Sequence, residues 1–480
     1  MSENSKVVKA GIGYTISNYF LKGLTFLTIP IFSRIMSTAD YGLYNTFVAY
    51  ESILFIFIGL AIHSSYKNAR FKYGLVSEGI ETGKDYNTYV SVTLLMVLTN
   101  STLLLIIANI CSGVIGNLLD LDRLSINLLI LYSASNAILL CFNSDVALRY
   151  QFQSFLKISA FNAIGNILLS IVLMLTIFSE TRYIGRVFGT TIPILAVAIF
   201  ILLTYIKRAR PKNGKEFLTW GIRYSLPIVP HGVSQVILSQ FDRIMIKNMI
   251  SASVAGIYSF AYNIYTIVSV TMQSLDSVWN TWFYEQMHQK NYDEIKEKSS
   301  LYMLGMLTFT SCIMLVSPEV IKILGPEEYW DASYCVIPIV AGGFFSFLYT
   351  LPSAIEYYYE KTKYIAVGTV SAAIVNIVLN AIFIQKYGYV AAAYTTLFTY
   401  LLYFSFHYLW AWKIQGSCLF NNKIVVFCIG STLLLNVLAL YFIDSPLVRI
   451  GIGVFIFSTG LKYEERKIGF LAKIIRKAKK

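Results

Sequence analysis

Runs of about twenty consecutive apolar residues recur along the chain, as at 43–62 and 424–443. A helix rises about 1.5 Å per residue, so each run is long enough to cross a hydrocarbon layer about 30 Å thick. In that layer only helices or closed barrels satisfy their own backbone. Charged residues make up 14% of the 480 positions, against about 25% in soluble domains. The chain therefore reads as an all-α membrane protein, and its net charge of +13 is a question of membrane sidedness before it is a nucleic-acid signal.

Windows of about 19 residues predict spans at 11–32, 43–62, 89–110, 125–143, 158–178, 187–206 and 225–250, then at 257–280, 299–316, 332–355, 364–384, 389–412, 424–443 and 450–461. That is about 14 transmembrane helices. With the N-terminus inside, only Arg34, Arg123, Arg182, Arg186, Lys322, Lys386 and Arg449 of the 39 Lys and Arg fall in outward segments. Basic residues are retained on the cytoplasmic side of short loops, so the chain is expected to be multi-pass with both termini cytoplasmic. The first span lacks a small-residue cleavage site and reads as retained. The tail with Lys473, Arg476, Lys477, Lys479 and Lys480 reads as a positive-inside flank or an anionic-headgroup contact.

Several chemistries are disfavoured. No G-x-x-x-x-G-K-[ST] loop is present to cradle a nucleotide, and the connections at 63–88 and 317–331 are too short for a soluble catalytic domain. Asp120-Leu121-Asp122 spells D-x-D, a pattern of sugar transferases, but it falls in a short outward loop. The six cysteines show no C-x-x-C spacing, so no disulfide framework or zinc site is expected. His63, His231 and His407 are isolated in sequence and read as hydrogen-bonded interior groups. No cofactor, metal or nucleic-acid partner is implied.

Arg34-Ile35-Met36 followed by Ala39-Asp40-Tyr41-Gly42-Leu43-Tyr44 has a counterpart in Arg243-Ile244-Met245 followed by Ser253-Val254-Ala255-Gly256-Ile257-Tyr258. The plan expected is two six-helix bundles related by an internal repeat, 1–210 and 211–413, with two further helices and a basic tail at 414–480. Duplicated transporters place their substrate between the halves.

The same residues carry a resemblance. The stretch from Gly11 to Tyr44, with Ile29-Pro30-Ile31-Phe32-Ser33-Arg34, resembles the opening of Wzx-type polysaccharide flippases, and Gln240-Phe241-Asp242-Arg243 through Tyr258 resembles the start of their second half. These belong to the multidrug/oligosaccharidyl-lipid/polysaccharide exporter superfamily. The resemblance implies a non-enzymatic flippase in a bacterial inner membrane. It would move undecaprenyl-diphosphate-linked oligosaccharides, such as O-antigen or capsule repeat units, to the outer leaflet by alternating access. Its implied partners are membrane lipids, a polysaccharide polymerase and a chain-length regulator. A multidrug or cation antiporter of the same superfamily is the alternative, and a membrane glycan polymerase a more distant one.

Polar residues at helical spacing mark interior faces, because a charge at the bilayer centre costs about 2.5–3.5 kcal/mol even on lenient scales. Such stripes run through Asn18, Lys22 and Thr25; Asn162, Asn166 and Ser170; Asn263, Thr266, Gln273 and Asn280; and Thr369, Asn376 and Asn380. Interhelical hydrogen bonding explains any one of them, while their presence in both halves favours a hydrated cavity. A diphosphate-linked substrate needs cations, for which Lys22, Arg243 and Lys247 are the candidates, with Arg34 and Arg70 near the two mouths. Asn18, Asn263, Gln273 and Asn376 are candidates for glycan contacts. Glu51, Asp242, Asp276 and Glu356 are candidates for coupling to an ion gradient. Pro30, Pro193, Pro227, Pro230, Pro338 and Pro352 are expected to bend spans.

Overall fold

The computed structural model describes residues 3–74, 86–212 and 214–468, so the basic tail from Lys473 onward lies outside the described residues. The described residues are helical and contain no strand. They form α1 (Glu3–Ile35), α2 (Thr38–Gly59), α3 (Tyr66–Tyr73), α4 (Tyr86–Ile110), α5 (Ser112–Leu119), α6 (Arg123–Leu148), α7 (Phe152–Leu175), α8 (Arg182–Arg208), α9 (Gly214–Ser225) and α10 (Val229–Met249). There follow α11 (Ala252–Gln289), α12 (Tyr292–Leu324), α13 (Ser333–Leu348), α14 (Thr350–Tyr358), α15 (Thr362–Tyr387), α16 (Val390–Gln415), α17 (Asn422–Tyr441) and α18 (Pro446–Ile468). Each predicted span overlaps a helix or a broken pair of helices. Ten stretches among the described residues are long and apolar enough to cross a membrane, while α1, α10, α16 and α18 fall outside that set.

Side chains cap several of these helices. Ser37 Oγ accepts the Asp40 N–H at 3.1 Å ahead of α2, and Asp122 accepts from Leu124 and Ser125 ahead of α6. Capping gives Asp122 a backbone role, so D-x-D here begins a helix. Pro30, Pro193 and Pro338 lie inside α1, α8 and α13. Pro227 sits in a turn of 3₁₀ helix before α10. The span predicted at 332–355 is broken at Tyr349, because Pro352 has no N–H to donate one turn back, to the Leu348 carbonyl.

The chain divides into two units, 1–244 and 245–480, with the division inside α10. In the first unit α7 and α8 approach closely, since a Cβ at Gly189 would overlap Ser170 and one at Gly185 would lie 3.1 Å from Met174. Small residues permit such contact in membranes, where lipid supplies little hydrophobic drive for helix association. Towards the predicted inward ends, Tyr66, Tyr73, Tyr86, Tyr89 and Phe217 form a buried aromatic core. The amphipathic α9 packs on that core, with Trp220 beneath Lys72 at 4.7 Å. Alongside, Asp145 is fully buried and accepts from Arg149 Nε at 2.8 and 2.9 Å and from the Tyr205 hydroxyl.

In the second unit Arg449, expected in an outward loop, is fully buried in the first turn of α18. It donates to Glu319 on α12 at 2.5 and 2.8 Å, to the Leu315 carbonyl at 2.6 Å, and to the carbonyls of Phe442 and Ile443 past the end of α17 at 2.9 and 3.0 Å. One guanidinium thus ties both C-terminal helices to the bundle. Arg449→Ala would remove these bonds, and a hydrogen bond to a charged group contributes about 1.5–3 kcal/mol. The variant is expected to unfold at a lower temperature in detergent, with Arg449→Lys restoring little of the loss because lysine lacks the forked geometry. An unchanged midpoint in Arg449→Ala would contradict this anchoring.

Candidate functional site

The first unit gathers polar side chains from four helices. On α2, Glu51 is buried and accepts from Asn136 Nδ2 of α6 at 2.7 Å. One turn before Asn136, the Tyr132 hydroxyl interacts with Asn136 and lies within electrostatic reach of Glu51, Tyr44 and Arg186. Arg186 stands one turn into α8. Its Nη1 donates to Asn166 Oδ1 at 2.5 Å and Ser170 Oγ at 2.7 Å, both on α7. The Phe32 and Tyr44 rings lie 3.7 and 4.9 Å from its Cζ, and Tyr44 is hydrogen-bonded to Thr190 at 3.1 Å. These amide, hydroxyl and aromatic partners are neutral, so they orient the guanidinium without cancelling its charge. The close α7–α8 approach at Gly185 and Gly189 brings the arginine within reach of Asn166 and Ser170.

The second unit holds three polar clusters. On α15, Asn376 and Asn380 are fully buried. Asn380 Nδ2 donates to Asn376 Oδ1 at 3.1 Å, and Asn376 Nδ2 donates to Thr396 Oγ1 of α16 at 3.1 Å. Thr395 closes the group by donating to Asn380. Nearer the other end of α16, His407 Nδ1 lies 2.9 Å from both carboxylate oxygens of Glu356, and both residues are fully buried. Asp276 of α11 accepts from Asn280 at 2.9 Å and is hydrogen-bonded to Thr350.

The other predicted residues are placed as follows. Asn18, Lys22 and Arg34 are exposed on α1, and Arg34 donates to the Pro30 carbonyl of its own helix at 2.9 Å. Arg70 is half-buried on α3. Asp242 and Arg243 are buried on α10, one turn before the half-buried Lys247. Asn263 Nδ2 donates to the Phe260 carbonyl at 3.0 Å, and the exposed Gln273 to Ser269 at 3.3 Å, each within α11. No group of three or more His, Cys, Asp or Glu suited to a metal ion occurs among the described residues. His63, in the turn after α2, has its imidazole pushed below its ordinary pKa by burial. The stripes pointed to Asn166, Ser170, Asn376 and Asn380, but Arg186 was placed in an outward loop. Its signal was the flanking Gly185-Arg186-x-x-Gly189, a small-residue face for helix contact that carries a charge.

Comparison with known proteins fits this architecture. The sequence pattern of the polysaccharide biosynthesis protein family matches residues 7–280, more than half of the chain. The chain belongs to this family. The match spans both stretches that resembled Wzx-type flippases, and the chain is a multi-pass membrane protein. A protein of the Lsg locus of Haemophilus influenzae is 22% identical over 391 residues, covering 78% of this chain and 90% of that protein. Among solved structures, the lipid II flippase MurJ in an inward closed conformation superposes with a TM-score of 0.66 at 17% identity, covering 95% of this chain and 99% of that one. An inward-facing multidrug resistance MATE family transporter superposes with a TM-score of 0.60 at 14% identity, covering 82% and 94%. The fold is therefore shared with that flippase and that transporter.

The cluster around Arg186 generates a prediction. A hydrogen bond to a charged group contributes about 1.5–3 kcal/mol, and about 1.4 kcal/mol is a factor of ten. Arg186→Ala is expected to reduce surface polysaccharide output about tenfold at matched protein levels. Arg186→Lys should fall nearly as far, since a lysine cannot both bridge two acceptors and stack on two rings. Wild-type output from both variants would remove Arg186 from the site.

Proposed function

We propose that this protein is a flippase for undecaprenyl-diphosphate-linked oligosaccharide repeat units. It carries them by alternating access from the cytoplasmic to the outer leaflet of a bacterial inner membrane, for assembly of an O-antigen, capsule or similar surface polysaccharide. Both termini face the cytoplasm, and the polymerase and chain-length regulator that follow in assembly are its partners. The observation that carries this reading is the family match together with the superposition over nearly the whole length of a lipid II flippase, a protein named for a lipid-linked glycan. The MATE transporter's superposition is shorter in this chain, which leaves the antiporter reading second.

In this proposal Lys22, Arg186, Arg243 and Lys247 meet the diphosphate in turn, and Arg34 and Arg70 act near the mouths. Their charges are matched to a headgroup that needs cations wherever it leaves water. Asn18, Asn263 and Gln273 offer amides to sugar hydroxyls. Glu51, Asp242, Asp276 and Glu356 are the groups through which an ion gradient is coupled. No nucleotide-binding loop is present, so the drive comes from that gradient or from the substrate's own.

Deleting the gene in its host is expected to make lipid-linked repeat units accumulate on the inner leaflet while surface polysaccharide disappears. Complementation with Lys22→Ala or Arg243→Ala at normal protein levels should restore at most about a tenth of the export, by the same charged hydrogen-bond magnitude. Unchanged export in both variants would reject the phosphate role. A deletion strain with no accumulated intermediate and normal polysaccharide would reject the flippase reading.

A further inference from the structure

At the opposite end of α8 from Arg186, a cavity of about 720 Å³ opens between α3 and α9 in the first unit. Its cations come from both helices. Lys72 of α3 lies over the Trp220 ring at 4.7 Å, and α9 contributes Lys215 and Arg223. Lys215, Thr219 and Arg223 are spaced four apart, which puts both cations on one helix face. Between them the Thr219 hydroxyl is bonded back to the Lys215 carbonyl at 2.7 Å. The carboxylate in the wall belongs to Glu216, in the first turn of α9, where it complements the positive end of the helix dipole. Lys72, Lys215 and Arg223 are exposed and form no ion pair among the described residues. Three cations against one carboxylate leave the cavity with surplus positive charge.

Its floor is built from packed rings. Tyr73 and Tyr89 meet Trp220 edge-to-face at 5.4 and 5.7 Å, and Asn68 donates to the Tyr224 hydroxyl at 2.9 Å, tying α3 to α9. A Cβ at Gly221 would lie 2.6 Å from the Tyr89 hydroxyl, so α9 rests closely against the first turn of α4. Because α4 is long and apolar enough to cross a membrane, that turn marks the depth at which the chain leaves hydrocarbon. The six positions from Arg208 to Gly214 reach about 20 Å at full extension, which keeps α9 near that depth as α8 ends. The connections that carry α3 and α9, 63–88 and 207–224, are both expected on the cytoplasmic side from their basic residues. Phe71, Tyr224 and Leu226 are exposed on and beside these helices, so apolar surface accompanies the cations.

A cationic cavity at headgroup depth with exposed apolar neighbours matches a ligand that has an anionic head and an apolar tail. Basic pockets at the cytoplasmic ends of spans bind acidic lipid headgroups. The planar fork of Arg223 can hold two phosphate oxygens, while the lysine ammonium groups act as point charges. Trp220 holds the Lys72 ammonium over its face, so that charge is in position before a lipid arrives. We propose that the α3–α9 cavity is a binding site for the phosphate headgroup of an anionic phospholipid of the inner leaflet, with Lys72, Lys215 and Arg223 as its cations. The site serves whatever the protein transports, so it stands apart from the flippase reading.

The probe is phosphatidylglycerol, with phosphatidylcholine as the zwitterionic control, added to full-length protein in detergent and read by native mass spectrometry. Salt at about 0.15 M sets a Debye length of about 8 Å and screens distant charge. Lys72→Ala, Lys215→Ala and Arg223→Ala combined are expected to weaken phosphatidylglycerol binding about a hundredfold, a conservative share of three charged hydrogen bonds at about tenfold each. Phosphatidylcholine should bind this variant and wild type alike. A second variant removes equal charge outside the cavity, through Lys67→Ala, Arg210→Ala and Lys212→Ala, and should bind phosphatidylglycerol as wild type does. Equal losses in the two variants would mean diffuse attraction to a basic surface and overturn the site, as would wild-type affinity in the first. Should the first variant fold poorly, Arg223→Ala alone carries the test with an expected loss of about tenfold. Displacement of the lipid by millimolar inorganic phosphate would assign the cavity to a soluble anion and overturn the phospholipid.

Discussion

A polar side chain carried into hydrocarbon must find its partner within the protein, because lipid offers none. That requirement organises both units. Glu51 is met by Asn136, Arg186 by Asn166 and Ser170, Asn376 and Asn380 by Thr395 and Thr396, and Glu356 by His407. Each pairing joins different helices, so the groups that bear chemistry also fix how the helices pack. Glycines at 185, 189 and 368 bring those helices near enough for the bonds to form.

Buried charges in such a bundle fall into two kinds. Arg449 and Asp145 are saturated: Arg449 meets a carboxylate and three backbone carbonyls, and Asp145 meets a guanidinium and a tyrosine hydroxyl. Their geometry leaves little to offer a substrate, and their work is to hold helices. Arg186 and the Glu356–His407 pair differ. The first has neutral partners and keeps its charge, and the second keeps an open ring nitrogen. The first kind keeps each unit rigid, and the second leaves a group whose hydrogen-bonding capacity is not used up.

The helices were legible in the sequence because length and apolarity set a span without help from distant residues. Even the break at Tyr349 was foreshadowed by Pro352. The polar stripes gave Asn166, Ser170, Asn376 and Asn380 for the same reason, since helical period is local, and Glu51 and Glu356 stood out as acids within or at the ends of apolar spans. Their partners were not legible. Asn136 lies 85 positions from Glu51, and His407 lies 51 from Glu356, so those pairs exist only once helices are placed side by side. Arg186 and Arg449 were assigned to outward loops because counting charge by side treats every arginine near a helix end as solvated. Here each lies within the first five residues of its helix and is held there by acceptors on a neighbour. Asp122 shows the converse, a suggestive motif whose carboxylate is occupied by the backbone N–H groups of Leu124 and Ser125.

The central claim is that a diphosphate-linked glycan lipid crosses the bilayer through this protein. The direct measurement is reconstitution of the purified chain into liposomes with a fluorescent polyprenyl-diphosphate oligosaccharide in both leaflets, read by a membrane-impermeant quencher. Protein-containing vesicles under an imposed gradient should move lipid between leaflets, changing the quenched fraction from about half, and protein-free vesicles should not. Movement of a cationic dye in the same vesicles, with the glycan lipid left in place, would contradict the claim and make the chain an antiporter.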